Sequence, residues 1–415
     1  MQVLKIGGSF IKDIHDIELT AKILKLYSNS NNLIIISAFD RTTRNLIDAA
    51  SIAKTGDSVS ALAKIHDIIG FHYDLINLSI KNKQIQTDLF LKLEPNFLKL
   101  KEYILGISIT GELTNKTLDS VMAFGEFFAF NIIFHYFKEQ KIDITCFDSS
   151  SVIITDNNFG SARPIIDITK ENILKIFDTQ ISKHRYSLTQ GFVARTLDGS
   201  ISTMGIESSN LTATIYAATL GAKELSIWTN VEGIKTADPE IFPDAQTIKN
   251  INYYTAARAA ENGLKLLYPE MIKVAINNCI KINIRSVYSI ESAFTEISDN
   301  SASDETIIII HENLNYQELR NEKSESTYNL FSIACPDRII NLSKKNISDQ
   351  TRQNQTDLII ILNLSEEKFL QHDFLNKIIT HSSCKAVSVI KNNGTSDLYI
   401  IGVLEGLKII LNSLI

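Results

Sequence analysis

Val3–Ser9 reads VLKIGGS: an apolar run carrying one Lys, closed by two glycines and a hydroxyl. A buried strand running into a tight strand-to-helix turn has this pattern. Apolar periodicity predicts a helix over 11–28. Leu33–Ile36 is a second continuous apolar run, the mark of a parallel strand covered on both faces. The polar stretch DRTTRN and another helical segment follow. Strand, helix, strand, helix is the order of a doubly wound α/β domain.

Working outward, residues 60–138 read as mostly helical and end in DSVMAFGEFFAFNIIFHYF, a long apolar helix containing one small Gly. Strands are expected at 142–147, 187–195, 224–229 and 281–287, and helices at 210–220 and 255–267. This bounds a first domain at 1–290. The polar stretch SDNSASDE at 298–305 reads as a linker. Beyond it, at 306–415, comes an α+β pattern. Its strands are expected at 306–310, 328–334, 357–363, 385–390 and 397–403, with helices at 366–379 and 404–413. The last five elements give β-α-β-β-α, a ferredoxin-like unit. Residues 336–356 are polar and without period, so the segment 306–356 lacks a helix of its own.

The bulk numbers exclude several classes. A chain of 415 residues with 44% hydrophobic and 21% charged side chains builds ordinary globular cores. Net charge is −6, and no basic block offers a footprint for nucleic acid. The four cysteines fit neither a CxxC motif nor a disulfide framework, as expected of reduced thiols. The N-terminus is too short and polar for a secretory signal. The longest apolar runs are strand-length, below the ~20 residues of a membrane span. A cytoplasmic protein with no membrane partner is expected.

Chemistry concentrates in a few stretches. In VLKIGGS, Gly7 and Gly8 let the backbone approach an oxyanion closely. The following helix would aim free N–H groups at the same spot, and Lys5 adds a cation. Ser9 completes the cradle. Positioned donors and a cation suit phosphoryl transfer, and the alternative reading is an ordinary strand-to-helix turn with an exposed Lys. The spacing is neither a Walker loop nor a dinucleotide fingerprint, and no GxGxxG follows any strand, which argues against a dehydrogenase. SAFDRTTRN at 37–45 reads either as a ligand loop at the carboxyl end of the sheet or as a helix capped by Asp40 or Thr42. Glu126 lies in an apolar helix, where a carboxylate must be paired or functional. IWTNVEGIKTADPE at 227–240 offers Thr229, Asn230, Lys235 and Asp238 after a strand, suited to a nucleotide's sugar and phosphates. Lys265, in GLKLLYPE, sits at a predicted helix end. STMGIESSNLTAT at 202–214 reads as a Gly turn opening a helix, either an anion-binding turn or a plain cap.

Six stretches in consistent order over 1–290 resemble the aspartate kinases of the amino-acid kinase family. They are KIGGS, SA with Thr-Thr, FGE, TQGFVARTLDGSISTMG, IWTNVEGIKTADP and GLKLLYP. The resemblance implies a three-layer sandwich with a mostly parallel central sheet, followed by an ACT-type regulatory domain. It implies transfer of the γ-phosphoryl of ATP, with Mg2+, to the side-chain carboxylate of L-aspartate. Lys5 would stabilise the transferring phosphoryl above Gly7, Gly8 and Ser9. Thr43, Glu126, Gly205, Ser209 and Asn210 would hold the amino acid. Thr229, Asn230, Lys235, Asp238 and Lys265 would face the nucleotide. No metal-ligating residues are implied. The expected partners are small molecules and a second copy joined through the C-terminal domain.

Two stretches depart from the family pattern: after WT the family's Asp is Asn230 and its Asp-Gly is Glu232-Gly233, and the Gly turn at 205–210 changes further. The family's turn reads Gly-Arg-Gly-Gly-Ser-Asp, and here the same register gives Gly205, Ile206, Glu207, Ser208, Ser209 and Asn210. The Arg that clamps a carboxylate is absent, leaving Arg163 and Arg195 as candidates to replace it. The retained Lys loop and altered turn also leave room for another carboxylate or carbamate acceptor, or a non-catalytic regulatory homologue.

Overall fold

The computed structural model describes residues 1–299, 305–319, 331–335, 338–343, 355–365, 377–392, 395–412 and 414. By compactness these form two units, 1–232 with 270–298 and 233–269 with 299–415.

The first unit is built on β1 (Gln2–Ile6) and β2 (Asn32–Ile36), which pair in parallel with Lys5 opposite Ile35. Further strands are β3 (Ile144–Cys146), the short β4 (Ile154–Thr155), β5 (Tyr186–Gln190), β6 (Val193–Thr196), β7 (Ile201–Thr203) and β8 (Glu224–Thr229). After β9 (Asn250–Ile251) of the second unit come β10 (Lys281–Ser286) and β11 (Thr295–Ile297). Within this unit the sheet order is β3-β5-β2-β1-β8-β10-β11. All neighbours are parallel except β10 and β11.

The helices are α1 (Ile14–Leu26), α2 (Thr42–Lys54), α3 (Ser58–Ser79), α4 (Lys83–Thr110), α5 (Asn115–Glu139), α6 (Ile166–Thr179) and α7 (Ser209–Thr219). Alternate strand residues sort to opposite faces. Leu4, Ile6, Ile34 and Ile36 join one core cluster with residues of α1 to α5. Val3, Leu33 and Ile35 are buried outside that cluster, and α7 packs on β1, β2 and β8. Lys5 shares the parity of Val3 and therefore lies on the second face. The expected three-layer α/β sandwich is present. By length and composition α5 could cross a membrane, but 67% of its most apolar window is buried inside the protein. It is the central helix of the core.

Three expectations change. The strand expected at 187–195 is two strands in two sheets. Gly191 N–H donates to the Ile36 carbonyl (2.9 Å), and Phe192 then takes φ 68°, which turns the chain out of the main sheet. The resulting β6 pairs with β4 and β7 in a separate three-stranded sheet. The first helix starts at Ile14 rather than residue 11, because the Asp13 side chain caps it by accepting from Asp16 N–H (3.2 Å). The helix expected over 255–267 is α8 (Tyr253–Glu261), and Gly263 at φ 84° follows it. A separate helix, α9 (Pro269–Asn278), begins with Pro at its first position. Lys265 thus lies between two helices.

The second unit carries an antiparallel six-stranded sheet. Its strands are β12 (Ile307–Leu319), β13 (Phe331–Cys335), β14 (Arg338–Ser343), β15 (Gln355–Ser365), β16 (Cys384–Asn392) and β17 (Thr395–Gly402), in the order β13-β14-β12-β15-β17-β16. With the helix Leu404–Asn412 it forms an α+β arrangement, consistent with the ACT-like domain expected. β14 lies inside the stretch read as having no element. The helix expected at 366–379 and the linker at 298–305 lie largely outside the described residues.

Candidate functional site

The site gathers at the carboxyl ends of β1 and β2, where loops leave the sheet on one edge. A β-carbon on Gly8 would stand 2.1 Å from the Ala38 carbonyl oxygen and 2.3 Å from that of Ser37, so only Gly lets these two loops touch. Gly8 O accepts from Asp40 N–H and Ile11 N–H, both at 2.9 Å. Gly7 N–H is engaged by the Trp228 carbonyl (2.8 Å). That removes Gly7 from the expected cradle and leaves Gly8 and the exposed Ser9 as the loop's donors. The N-terminus of α1 is also not the anion site, because Asp13 and Asp16 occupy its first turn.

Two other helix starts do meet the site. α2 begins after Asp40, which is held at φ 36°, and its cap residue Arg41 makes no side-chain capping bond. The cap reading for Asp40 or Thr42 therefore fails, and half-buried Thr43 sits in the first turn. α7 begins at Ser209, and the preceding Ser208 makes no side-chain capping bond, so the plain-cap reading of that turn fails too. Ser208, Ser209 and Asn210 are buried, while Ile206 and Glu207 are exposed. Gly205 takes φ 93° and Glu207 φ 70°. A non-glycine residue in that left-handed region costs about 1–2 kcal/mol.

Glu126 reaches the same edge from α5. A β-carbon on Gly125 would stand 3.0 Å from Ala38 Cβ and 3.3 Å from Thr42 Cγ2, so this glycine lets α5 lie close against the start of α2. Glu126 Oε1 then accepts from Ala38 N–H (3.2 Å). Its other oxygen, Oε2, is buried without a hydrogen-bond partner among the described residues, as are Ser37 Oγ and Ser208 Oγ. Unpaired buried polar atoms are uncommon and point to a group that supplies the missing bonds.

The charges are coupled. Burial pushes the Lys5 ammonium down to about 8, opposed by the charges of Glu207 and then Glu126. Burial pushes the Glu126 carboxyl up to about 8, opposed by the Ala38 amide and the Lys5 charge. In the free protein at neutral pH, Lys5 is mostly cationic and Glu126 mostly neutral. Both groups are poised to gain from a charged ligand. Glu207 escaped the sequence reading as a Lys5 neighbour. Its signal was a charged residue inside a Gly turn.

The other candidates are placed as follows. Thr229 is buried at the end of β8, with its hydroxyl bonded to Asn230 Oδ1 (3.2 Å). Lys235, Asp238 and Lys265 belong to the second unit. There Lys265 is exposed and its Nζ stands 3.9 Å from Asp238 Oδ2. Arg163 is exposed, and its backbone N–H donates to Asp156. Arg195 on β6 keeps a buried Nε without a partner among the described residues. No group of three or more His, Cys, Asp or Glu side chains is gathered for a metal among the described residues.

Residues 1–286 match the model of the amino acid kinase family. Aspartokinase 1, chloroplastic, of Arabidopsis thaliana is 26% identical over 323 residues, covering 75% of this chain and 55% of its own length. Aspartokinase 2, chloroplastic, of the same plant is 25% identical over 332 residues, covering 79% and 60%. The chain therefore spans little more than half the length of these relatives. E. coli aspartokinase III, crystallised with aspartate and ADP, superposes with a TM-score of 0.84 at 16% identity over 100% of this chain and 99% of that one. Clostridium acetobutylicum aspartate kinase superposes with a TM-score of 0.71, also at 16% identity. The chain belongs to the amino acid kinase family and has the fold of an aspartokinase.

Proposed function

We propose that the chain is an aspartate kinase, moving the γ-phosphoryl of ATP to the side-chain carboxylate of L-aspartate to give 4-phospho-L-aspartate. The observation that carries this reading is the meeting of Lys5, the Gly8 loop and Glu126 at one sheet edge. Lys5 and the backbone amides beside it neutralise charge on the transferring phosphoryl. The donor set fits a polyphosphate: an ammonium, loop amides and two helix starts without side-chain caps. Magnesium would accompany ATP as its counter-ion and supply charge neutralisation on the phosphates.

The acceptor's carboxylate oxygen attacks the γ-phosphorus, and the bond from that phosphorus to the bridging oxygen of ADP breaks. No general base is needed, because the attacking group is already an anion. Glu126 ionises as it receives the acceptor's ammonium group, with Thr43, Ser209 and Asn210 completing the polar wall. The relatives named above support this reading.

The test is ADP release dependent on L-aspartate, with hydroxylamine trapping of the acyl phosphate. No turnover at millimolar aspartate sinks it. Exposed Ile206 and Glu207 favour a second reading, an acceptor whose far end is not anionic. A panel of carboxylate and carbamate acceptors under the same readout separates the two. Nucleotide binding without turnover of any acceptor would indicate a non-catalytic homologue.

A further inference from the structure

A surface helix needs one apolar stripe, and α4 has two. Its core-facing stripe is Leu89, Leu93, Phe97, Leu100, Ile104 and Ile107, all buried. The second stripe is Leu91, Leu98, Leu105 and Ile109, exposed by 71%, 51%, 38% and 84%. At 100° per residue these four fall within about 40° of one another on the helix, along roughly 27 Å of its length. Scattered exposed leucines are ordinary, but Leu91, Leu98 and Leu105 recur every seven residues with Ile109 four residues on, interrupted by exposed Glu102, and such a repeat marks a contact surface.

The charges beside the stripe say what covers it. Glu94 and Lys101 lie on the same flank, at about −60° and −80° from Leu91. Two copies of α4 placed antiparallel about a two-fold axis at Leu98 bring like flanks together. Leu98 then meets the second copy's Leu98, and Leu91 meets the second copy's Leu105. Glu94 meets the second copy's Lys101, and the reciprocal pair forms on the other side of the axis. A two-fold contact requires such self-complementarity. The Tyr73 hydroxyl already donates to Glu94 and fixes that side chain on the flank. Beside Leu105 and Ile109, Gly106 has open space around its absent β-carbon.

We propose that the exposed face of α4 is a self-association surface, joining two copies of this chain antiparallel about Leu98. One helix pair is at the small end of specific interfaces, so the association is in the micromolar range unless another contact also holds the copies together.

The test uses the full chain. Leu98→Cys is treated with a short bismaleimide and compared with Leu78→Cys, an α3 position of equal exposure (51%). Covalent dimers are expected for the Leu98→Cys variant, and no more for the Leu78→Cys variant than for the parent. Sedimentation velocity should show Glu94→Lys or Lys101→Glu alone weakening association about tenfold, and the double exchange restoring it. Equal cross-linking of the two variants would overturn the proposal. So would a mass distribution that neither charge variant changes, or capture of the stripe by a different protein while the chain itself remains monomeric.

Discussion

Replacing Glu126 with Gln should make the protein more stable and a poorer enzyme, and the gain in stability should grow with pH. Burial lifts the folded carboxyl from its ordinary 4.5 to about 8, and unfolding returns it to water. Below about pH 4 both states hold the proton and ionisation does not affect stability. As pH rises, the unfolded chain releases its proton while the folded one keeps it, so stability falls until about pH 8 and then levels off. One tenfold change in proton affinity is about 1.4 kcal/mol, which makes the loss about 3 kcal/mol at pH 7 and about 4 at pH 8. Gln has nearly the same volume, still accepts from Ala38 N–H and cannot ionise, so the variant escapes this loss. Urea unfolding at pH 4.5 and pH 8 measures it through the transition midpoints. They should nearly coincide at the lower pH and separate in favour of the variant at the higher. Under the proposed function the same substitution removes the anion that would meet the acceptor's ammonium, so KM for the amino acid should rise about 10- to 100-fold. If the midpoints differ by the same amount at both pH values, Glu126 does not hold a buried proton. If KM for the amino acid is unchanged, it does not meet the acceptor.

Lys5→Met should lower kcat at least about 100-fold by ADP release, with a melting temperature no lower than the parent's because a costly buried ammonium is removed. Gly8→Ala should destabilise by about 2 kcal/mol or more in urea and abolish activity, since its methyl group collides with two carbonyl oxygens. Glu207→Gly should raise the melting temperature by relieving a left-handed residue worth about 1 kcal/mol. It also removes the acid that raises the proton affinity of Lys5. The alkaline limb of kcat/KM, set near 8 by the free enzyme's Lys5, should therefore move to lower pH. Glu207→Ala should move the limb equally without the gain in stability.

What was legible in the sequence follows from what determines each element. β1, β2, β8 and β10 are short runs buried on both faces, and composition alone marks them. The break between β5 and β6 was not marked. It depends on Gly191 bonding across to Ile36 and on Phe192 accepting a left-handed backbone, both set by neighbours distant in sequence. β14 escaped for the same reason. Arg338–Ser343 reads as part of a polar stretch and is a strand because β12 and β13 pair with it on either side. α9 was legible in principle, since Pro269 opens it, but YPE was read as part of a ligand motif. Lys5 and Glu126 stood out by type, a charge in an apolar setting. Ser37 and Ser208 did not, because a hydroxyl without a partner is visible only once its surroundings are known.

The path of the turn at 205–210 is fixed by contacts on both sides of it. Asp119 is fully buried, accepting from Thr203 N–H (2.9 Å), the Thr203 hydroxyl (2.7 Å) and Gly160 N–H (3.0 Å), and so fixes the strand entering the turn. Met204 N–H bonds Phe192 O, and Ser208 N–H bonds Gly205 O. Gly191 lies so close to Ser209 that a β-carbon would stand 2.7 Å from it. Contacts on both sides therefore dictate the path, and Glu207 is held in a conformation its side chain disfavours. A carboxylate entering here meets an apolar Ile206 and an acid, so it must find its cation elsewhere or not enter. Yet the same acid opposes the burial that drains charge from Lys5. The residue least suited to an anionic ligand therefore helps keep Lys5 charged, and one substitution at 207 should alter both properties together.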